Sequence, residues 1–280
     1  MTGLADSDPW AFSCLIPIHR GDNVEHFVAA MESIGASSLA PAEILICQDG
    51  ALPAPLGDAV ASCMRRFGAR LTVSSGPEGL QHNLNDAMTA VRTPWVARAD
   101  ADDLNSPDRF AAQVSFLKES PHIAALGGGI LEFWPDGRSR RKHMPLTHAE
   151  IVRWARWRNP INHMTAFFRK DVFVECGGYP DIRSKEDYGL WLAMIGRGAL
   201  LANLPQDLVR ARLGKRFYQR RSGLMNFRSE LALYELKRRI PDIGPAAAAV
   251  ALVGRSCALA MSGPARLVYE LGLRRQKVRS

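Results

Sequence analysis

The 280-residue chain is 47% hydrophobic and carries a formal net charge of +8. It is long enough to bury a full core, and no stretch offers the ~20 uninterrupted apolar residues that a membrane-spanning helix needs. The first residues lack a basic start and an apolar centre, so no signal peptide is expected. Five widely spaced cysteines (Cys14, Cys47, Cys63, Cys176 and Cys257) argue against a disulfide framework or a zinc site and for a reducing compartment.

An apolar run over residues 13–18 predicts a buried strand ending at the turn His19-Arg20-Gly21-Asp22. Residues 24–34 follow at helical spacing, with Phe27, Met31 and Ile34 on one face. A second buried strand, 43–47, closes at Gln48-Asp49-Gly50, and a helical pattern covers 56–67. Residues 70–73 read as a third strand. Residues 80–91 read as a third helix carrying Leu84, Ala87, Met88 and Val91. A fourth strand over 93–99 runs into Asp100, Asp102 and Asp103. This alternation predicts an α/β fold with βαβ units and a mainly parallel sheet. Such sheets bind ligands at their carboxyl edge, where His19, Asp49 and Asp100 are expected to converge.

The second half is less regular. A helix is expected over 109–118, a strand with a flexible middle over 123–130, and a hairpin over 131–140 turning at Pro135-Asp136-Gly137. A short helix over 151–157, a strand over 165–169 and a helix over 170–176 follow. After the break at Gly177-Gly178-Tyr179-Pro180 come a helix over 187–197 and a basic helix over 224–239. Arginines and lysines crowd residues 210–228 and the C-terminus, an asymmetry that suits a polyanionic partner.

Several groups could carry chemistry. Three crowded aspartates fit a hard divalent cation, and equally an Asp-rich turn with a helix cap. Glu186-Asp187 opens a helix, either as a cap or as a general base with a raised pKa against Tyr188 and Trp191. Gly177-Gly178 allows close approach of a ligand or ends a helix. His163, in Asn159-Pro160-Ile161-Asn162-His163, is either structural or part of an acceptor pocket with Glu186, Tyr188 and Trp191. Arg210 to Arg221 could clamp a diphosphate or form a solvated face. No glycine- and lysine-rich phosphate loop and no dinucleotide fingerprint follows the first strand.

Taken in order, these pieces resemble a family 2 glycosyltransferase with the GT-A fold, a Rossmann-like nucleotide-diphospho-sugar transferase. They are Leu15-Ile16-Pro17-Ile18-His19-Arg20, Ile46-Cys47-Gln48-Asp49-Gly50, Gly79-Leu80 with Asn83 and Asn85, Ala97-Arg98-Ala99-Asp100-Ala101-Asp102-Asp103 with Pro107, Arg109 and Gln113, and Gly177-Gly178-Tyr179 with Glu186-Asp187-Tyr188-Gly189-Leu190-Trp191. Residues 159–165 and 208–221 look like the bacterial branch that builds exopolysaccharide and surface polysaccharide, the amylovoran type. The resemblance implies an inverting transferase that uses a UDP-, GDP- or dTDP-sugar and Mn²⁺ or Mg²⁺. It implies that Pro17, Ile18, His19, Arg20, Asp49, Asn83, Asn85, Arg98, Asp100, Ala101, Arg220 and Arg221 meet the donor. Asp102 would be the direct metal ligand, Asp100 would contact the metal water or ribose, and Asp187 would be the base. The family often places a second acid where this chain has Gly189.

Residues 1–11 read as an extension, 12–223 as the transferase domain, and 224–280 as a helical basic region. Residues 264–279 set apolar residues among arginines, which suits either an anionic bilayer surface or packing on protein, a second subunit included. A saccharide or polyprenyl-diphosphate-linked acceptor, a cytoplasmic location with peripheral contact to the inner face of the plasma membrane, and no nucleic acid are expected. The competing functions are an inactive binding scaffold of the same fold and a nucleotidyltransferase.

Overall fold

The computed structural model describes residues 8–74, 79–213 and 224–260. Arg220, Arg221 and the arginine-rich stretch 264–279 lie outside the described residues. The elements run β1 (Phe12–His19), α1 (Val24–Gly35), β2 (Glu43–Asp49), α2 (Ala54–Phe67), β3 (Arg70–Val73), α3 (Leu80–Ala90), β4 (Trp95–Arg98), β5 (Leu104–Asn105) and α4 (Arg109–Glu119). They continue with β6 (Ile123–Phe133), β7 (Ser139–Lys142), α5 (His148–Ala155), a 3₁₀ turn (His163–Thr165), β8 (Phe167–Arg169) and α6 (Lys170–Glu175). Last come α7 (Glu186–Gly196), β9 (Leu200–Arg212), α8 (Leu224–Lys237) and α9 (Pro245–Ala260).

The sheet order is β3-β2-β1-β4-β8-β6-β9-β5, with β7 paired to β6. β3, β2, β1 and β4 are mutually parallel, as the alternating pattern predicts. β8 then runs antiparallel to both β4 and β6. β1, β2 and β4 are mostly apolar and buried through their middles, as strands covered on both faces must be. Cys14, Ile16 and Ile18 pack in one core layer, and Leu15, Leu45 and Cys47 in the other.

The hairpin of β6 and β7 forms as expected. The supposed flexible middle of β6 does not. Gly127, Gly128 and Gly129 sit inside a strand paired to β9 over its whole length, with β-bulges at Gly128 and Gly129. A side chain at Gly127 would lie 2.4 Å from Asn203 Oδ1, so close packing rather than flexibility calls for glycine there. Sequence reasoning placed no strand over Leu200–Arg212, which is the longest in the sheet.

Behind the carboxyl edge, Arg109 is fully buried. It donates to the Arg98 carbonyl at 2.8 Å, to Gln113 Oε1 at 3.2 Å and to Asn105 Oδ1. Gln113 in turn donates to the Thr165 carbonyl at 2.8 Å. Burial pulls the guanidinium down to about 10, so it stays charged at neutral pH. This network braces the end of β4 against α4. Arg109→Ala should cost about 3–5 kcal/mol, since it leaves buried acceptors unpaired. Urea unfolding checks this, and an unchanged midpoint refutes it.

α8 packs on α7. Leu233 enters the core, Lys185 pairs with Glu230, and Ser229 donates to the Arg183 carbonyl at 3.0 Å.

Candidate active site

β1 and β2 end side by side, with His19 opposite Asp49. His19 is held by Asp22, which accepts from its backbone N–H and lies 2.8 Å from Nδ1. Asp49 accepts from the Gly79 N–H at 3.1 Å, which ties the β2 end to the start of α3. Pro17 and His19 are half-buried and Arg20 is exposed. Ile18 and Ala101 point into the core, so only their backbone faces the edge.

Beyond β4 the chain turns and places Asp100, Asp102 and Asp103 together. One carboxylate oxygen from each lies within 4.8 Å of the others. Among the described residues this is the one acidic group able to hold a metal ion. Asp100 is fixed by the buried Arg98, whose Nη2 lies 2.8 Å from Oδ1. Asp103 is buried, and its Oδ1 accepts from the Arg212 N–H at 2.8 Å. Its Oδ2 is buried with no hydrogen-bond partner. The solvent-facing Asp102 is crowded on its inner side. Desolvation, then Asp100 and Asp22, push its carboxyl up to about 6. Three mutually repelling carboxylates with one orphaned oxygen make an all-oxygen donor set that suits Mg²⁺ or Mn²⁺.

The second acidic centre opens α7. Asp187 Oδ2 accepts from Asn159 Nδ2 at 2.5 Å, and Oδ1 accepts from the Tyr188 N–H at 2.7 Å. Burial still raises its carboxyl above the ordinary range, against both hydrogen bonds. Burial and then Asp187 push Glu186 up to about 7. Asp100 is near enough to raise both groups further. A raised folded-state value means that the native state holds the proton more tightly than the unfolded one. Glu186 therefore stabilises the fold at low pH and loses that advantage as pH rises from 4.5 to about 7. Glu186→Gln should be more stable than the native protein at pH 8, by about 2 kcal/mol, and equal to it near pH 4. Urea midpoints at the two pH values check this, and a variant destabilised at pH 8 refutes it.

Other expected site residues have internal partners. Asn83 is buried and donates to the Cys47 carbonyl at 2.7 Å. Asn85 clamps the backbone of Tyr179, donating to its carbonyl and accepting from its N–H, both at 2.9 Å. These hydrogen bonds tie α3 to the end of β2 and to the loop before α7. Gly177 and Gly178 have positive φ and follow the end of α6, their N–H groups donating to the Val174 and Phe173 carbonyls. Trp191 is fully buried, and Tyr188 is buried with its hydroxyl on the Ala155 carbonyl. Both rings pack into the core around α7, which is buried on most of its circumference. His163 bonds the Tyr179 hydroxyl at 2.9 Å, and burial keeps its imidazole neutral. Gly189 leaves no room for a second acid, since a Cβ there would lie 2.5 Å from Pro180 Cγ. Asn159, the partner of Asp187, was not singled out in sequence. A lone amide in a proline-containing loop carries no pattern.

Residues 13–177 match Glycosyl transferase family 2. The chain is 32% identical over 237 residues to the amylovoran biosynthesis glycosyltransferase AmsE of Erwinia amylovora, covering 83% of this chain and 88% of that one. It is 29% identical over 230 residues to the UDP-Gal:alpha-D-GlcNAc-diphosphoundecaprenol beta-1,3-galactosyltransferase of Escherichia coli, covering 81% and 83%. Among solved structures it superposes with a TM-score of 0.62 on the mannosyltransferase PcManGT from Pyrobaculum calidifontis in complex with GDP-Man and Mn²⁺. That match has 16% identity and covers 98% of this chain and 83% of that one. The chain belongs to glycosyltransferase family 2 and has its GT-A fold. It is a glycosyltransferase of the kind found in bacterial polysaccharide biosynthesis.

Proposed function

We propose that this enzyme moves a hexose from a nucleoside-diphosphate sugar to a saccharide or polyprenyl-diphosphate-linked acceptor, with inversion at the anomeric carbon. Asp102, with Asp100 and Asp103, would hold Mn²⁺ or Mg²⁺, which supplies charge neutralisation to the departing diphosphate. Pro17, His19 and Asp49 line the base and ribose. Asp187 takes the proton from the acceptor hydroxyl as that oxygen attacks. One C–O bond forms while the bond to the diphosphate breaks on the opposite face. Arg109 and Arg98 act from behind by holding the end of β4 and Asp100.

The observation that carries this reading is the cluster of Asp100, Asp102 and Asp103 at the end of β4, one oxygen of each within 4.8 Å of the others, with the desolvated Glu186-Asp187 pair near enough to feel Asp100. A metal-binding acid and a desolvated carboxylate near one another are the two parts that direct sugar transfer needs. The relatives add support, since one is named for UDP-Gal and a diphosphoundecaprenol acceptor. The test is a panel of UDP-, GDP- and dTDP-hexoses with Mn²⁺ or Mg²⁺, read by release of nucleoside diphosphate. Metal-dependent release from one donor is expected. No release from any donor sinks the reading.

The acceptor class also favours work at an anionic membrane surface. No described helix is long and apolar enough to cross a bilayer. The outward face of α9 shows Val250 and Val253, and five basic residues follow it in sequence. Co-sedimentation with phosphatidylglycerol vesicles but not with phosphatidylcholine vesicles is expected. Equal recovery in both supernatants refutes it.

A further inference from the structure

β7 carries Arg140, Arg141 and Lys142, all exposed. β4 and β6 are each antiparallel to β8, so they run the same way and their carboxyl ends lie on one edge. β8 pairs only with Ala125 and Leu126 of β6, whereas β7 pairs with the stretch from Ile130 to Phe133. β7 therefore stands at the carboxyl edge, in the lane that β8 leaves.

Two hydrogen bonds connect it to the base. Lys142 Nζ donates to Asn162 Oδ1 at 2.6 Å, and Asn159 in the same loop donates to Asp187 Oδ2 at 2.5 Å. Lys142 is near enough to Asp187 to draw its carboxyl down against the effect of burial. Register puts Lys142 opposite Ile130 and Arg140 opposite Glu132, so the two cations share a face. Arg140 is anchored by the buried Glu132, with Nε on Oε2 at 2.9 Å, and it lies 5.8 Å from the centre of the Trp134 ring. Arg141 points to the other face and pairs with Asp207.

Donor phosphates belong with the metal acids after β4, whereas these two cations stand on β7 beside the loop that holds Asp187. An acceptor whose hydroxyl sits at Asp187 carries its own anomeric substituent one sugar ring away. The geometry points to an acceptor-phosphate subsite: Lys142 and Arg140, on one face of β7 beside the Asn159–Asn162 loop, bind the diphosphate of a polyprenyl-diphosphate-linked acceptor. This rests on the transfer reading above and narrows its acceptor to one that carries a diphosphate. Lys142 supplies a point charge, Arg140 a planar guanidinium, and Trp134 an apolar surface for the first isoprenoid units.

The test is calorimetry on the full chain in EDTA, which silences metal-dependent donor binding. The probes are farnesyl diphosphate, farnesol and inorganic pyrophosphate. Farnesyl diphosphate should bind, and the other two should bind more weakly by roughly ten-fold or more. Lys142→Ala should weaken farnesyl diphosphate by roughly ten-fold, and so should Lys142→Gln, which can still donate to Asn162. Arg66→Ala, a distant exposed cation on α2, should change nothing. Thermal melts report whether each variant is folded. Absence of farnesyl diphosphate binding, equal binding of farnesol or of pyrophosphate, or unchanged affinity in both Lys142 variants overturns the subsite. Nucleotide-sugar hydrolysis by the native protein is measured separately, so failure of the transfer reading and failure of the subsite are distinguishable.

Discussion

Asp187→Asn should lower kcat by about a thousand-fold while leaving the affinity for the donor nucleotide nearly unchanged. The base has no substitute in its place, because Glu186 is buried and Gly189 bears no side chain. The amide can keep the hydrogen bond from the Tyr188 N–H, and Asn159 can turn its own amide to meet the new NH₂ group. The variant should therefore fold, and its lost activity reports proton transfer. Burial raises the Asp187 carboxyl, and the base works only when ionised, so native activity should fall on the acid side at a pH above that of an ordinary carboxylate. That acid limb should vanish from the residual activity of the variant. A pH–rate profile with donor saturating checks both points. Transfer within ten-fold of native would assign the proton to another group.

Asp102→Asn should remove the metal dependence of donor binding and lower turnover by two to three orders of magnitude, roughly the loss of one preorganised charge contact at the leaving group. Calorimetry with the donor nucleotide, with and without Mn²⁺, reads the first effect directly. The metal-site role also makes a prediction for stability, opposite in sign to that of a structural role. Three carboxylates within 4.8 Å repel one another when no cation is bound, so neutralising one should raise the melting temperature of the metal-free protein. An inactive variant that also melts earlier would identify Asp102 as a packing residue. Full metal-dependent binding by the variant would move the ligand role to Asp100 and Asp103.

Much of this arrangement was legible in sequence, for identifiable reasons. β1, β2 and β4 are short apolar runs that end in turn residues, a pattern that buried parallel strands impose. Asp100, Asp102 and Asp103 stand out because crowding carboxylates together is electrostatically costly. β9 escaped detection. Its sequence carries Pro205, Gln206 and Asp207 in the middle, where β-bulges interrupt pairing with β6, and its last residues read as the start of a basic cluster. Arg212 thus looked like one charge among many, whereas its backbone N–H holds Asp103. Tyr188 and Trp191 neighbour the acidic pair in sequence, and both rings are buried. Their spacing with Leu192 and Ile195 is that of the buried face of a helix, and that signal places them in the core. Asn159 and Lys142 approach Asp187 through tertiary contacts alone, which no local pattern records.

The two hydrogen bonds on Asp187 have a regiochemical consequence. Each oxygen already accepts one donor from the protein, so the carboxylate plane is set before any sugar arrives. Only the lone pairs that remain can receive a hydroxyl proton, and these point along directions chosen by Asn159 and the first turn of α7. With Asp187 as the proposed base, the hydroxyl of an acceptor ring that is glycosylated would be decided by how the ring is presented to a stationary oxygen. Redirecting the linkage means reshaping the walls that hold the sugar and leaving the carboxylate alone.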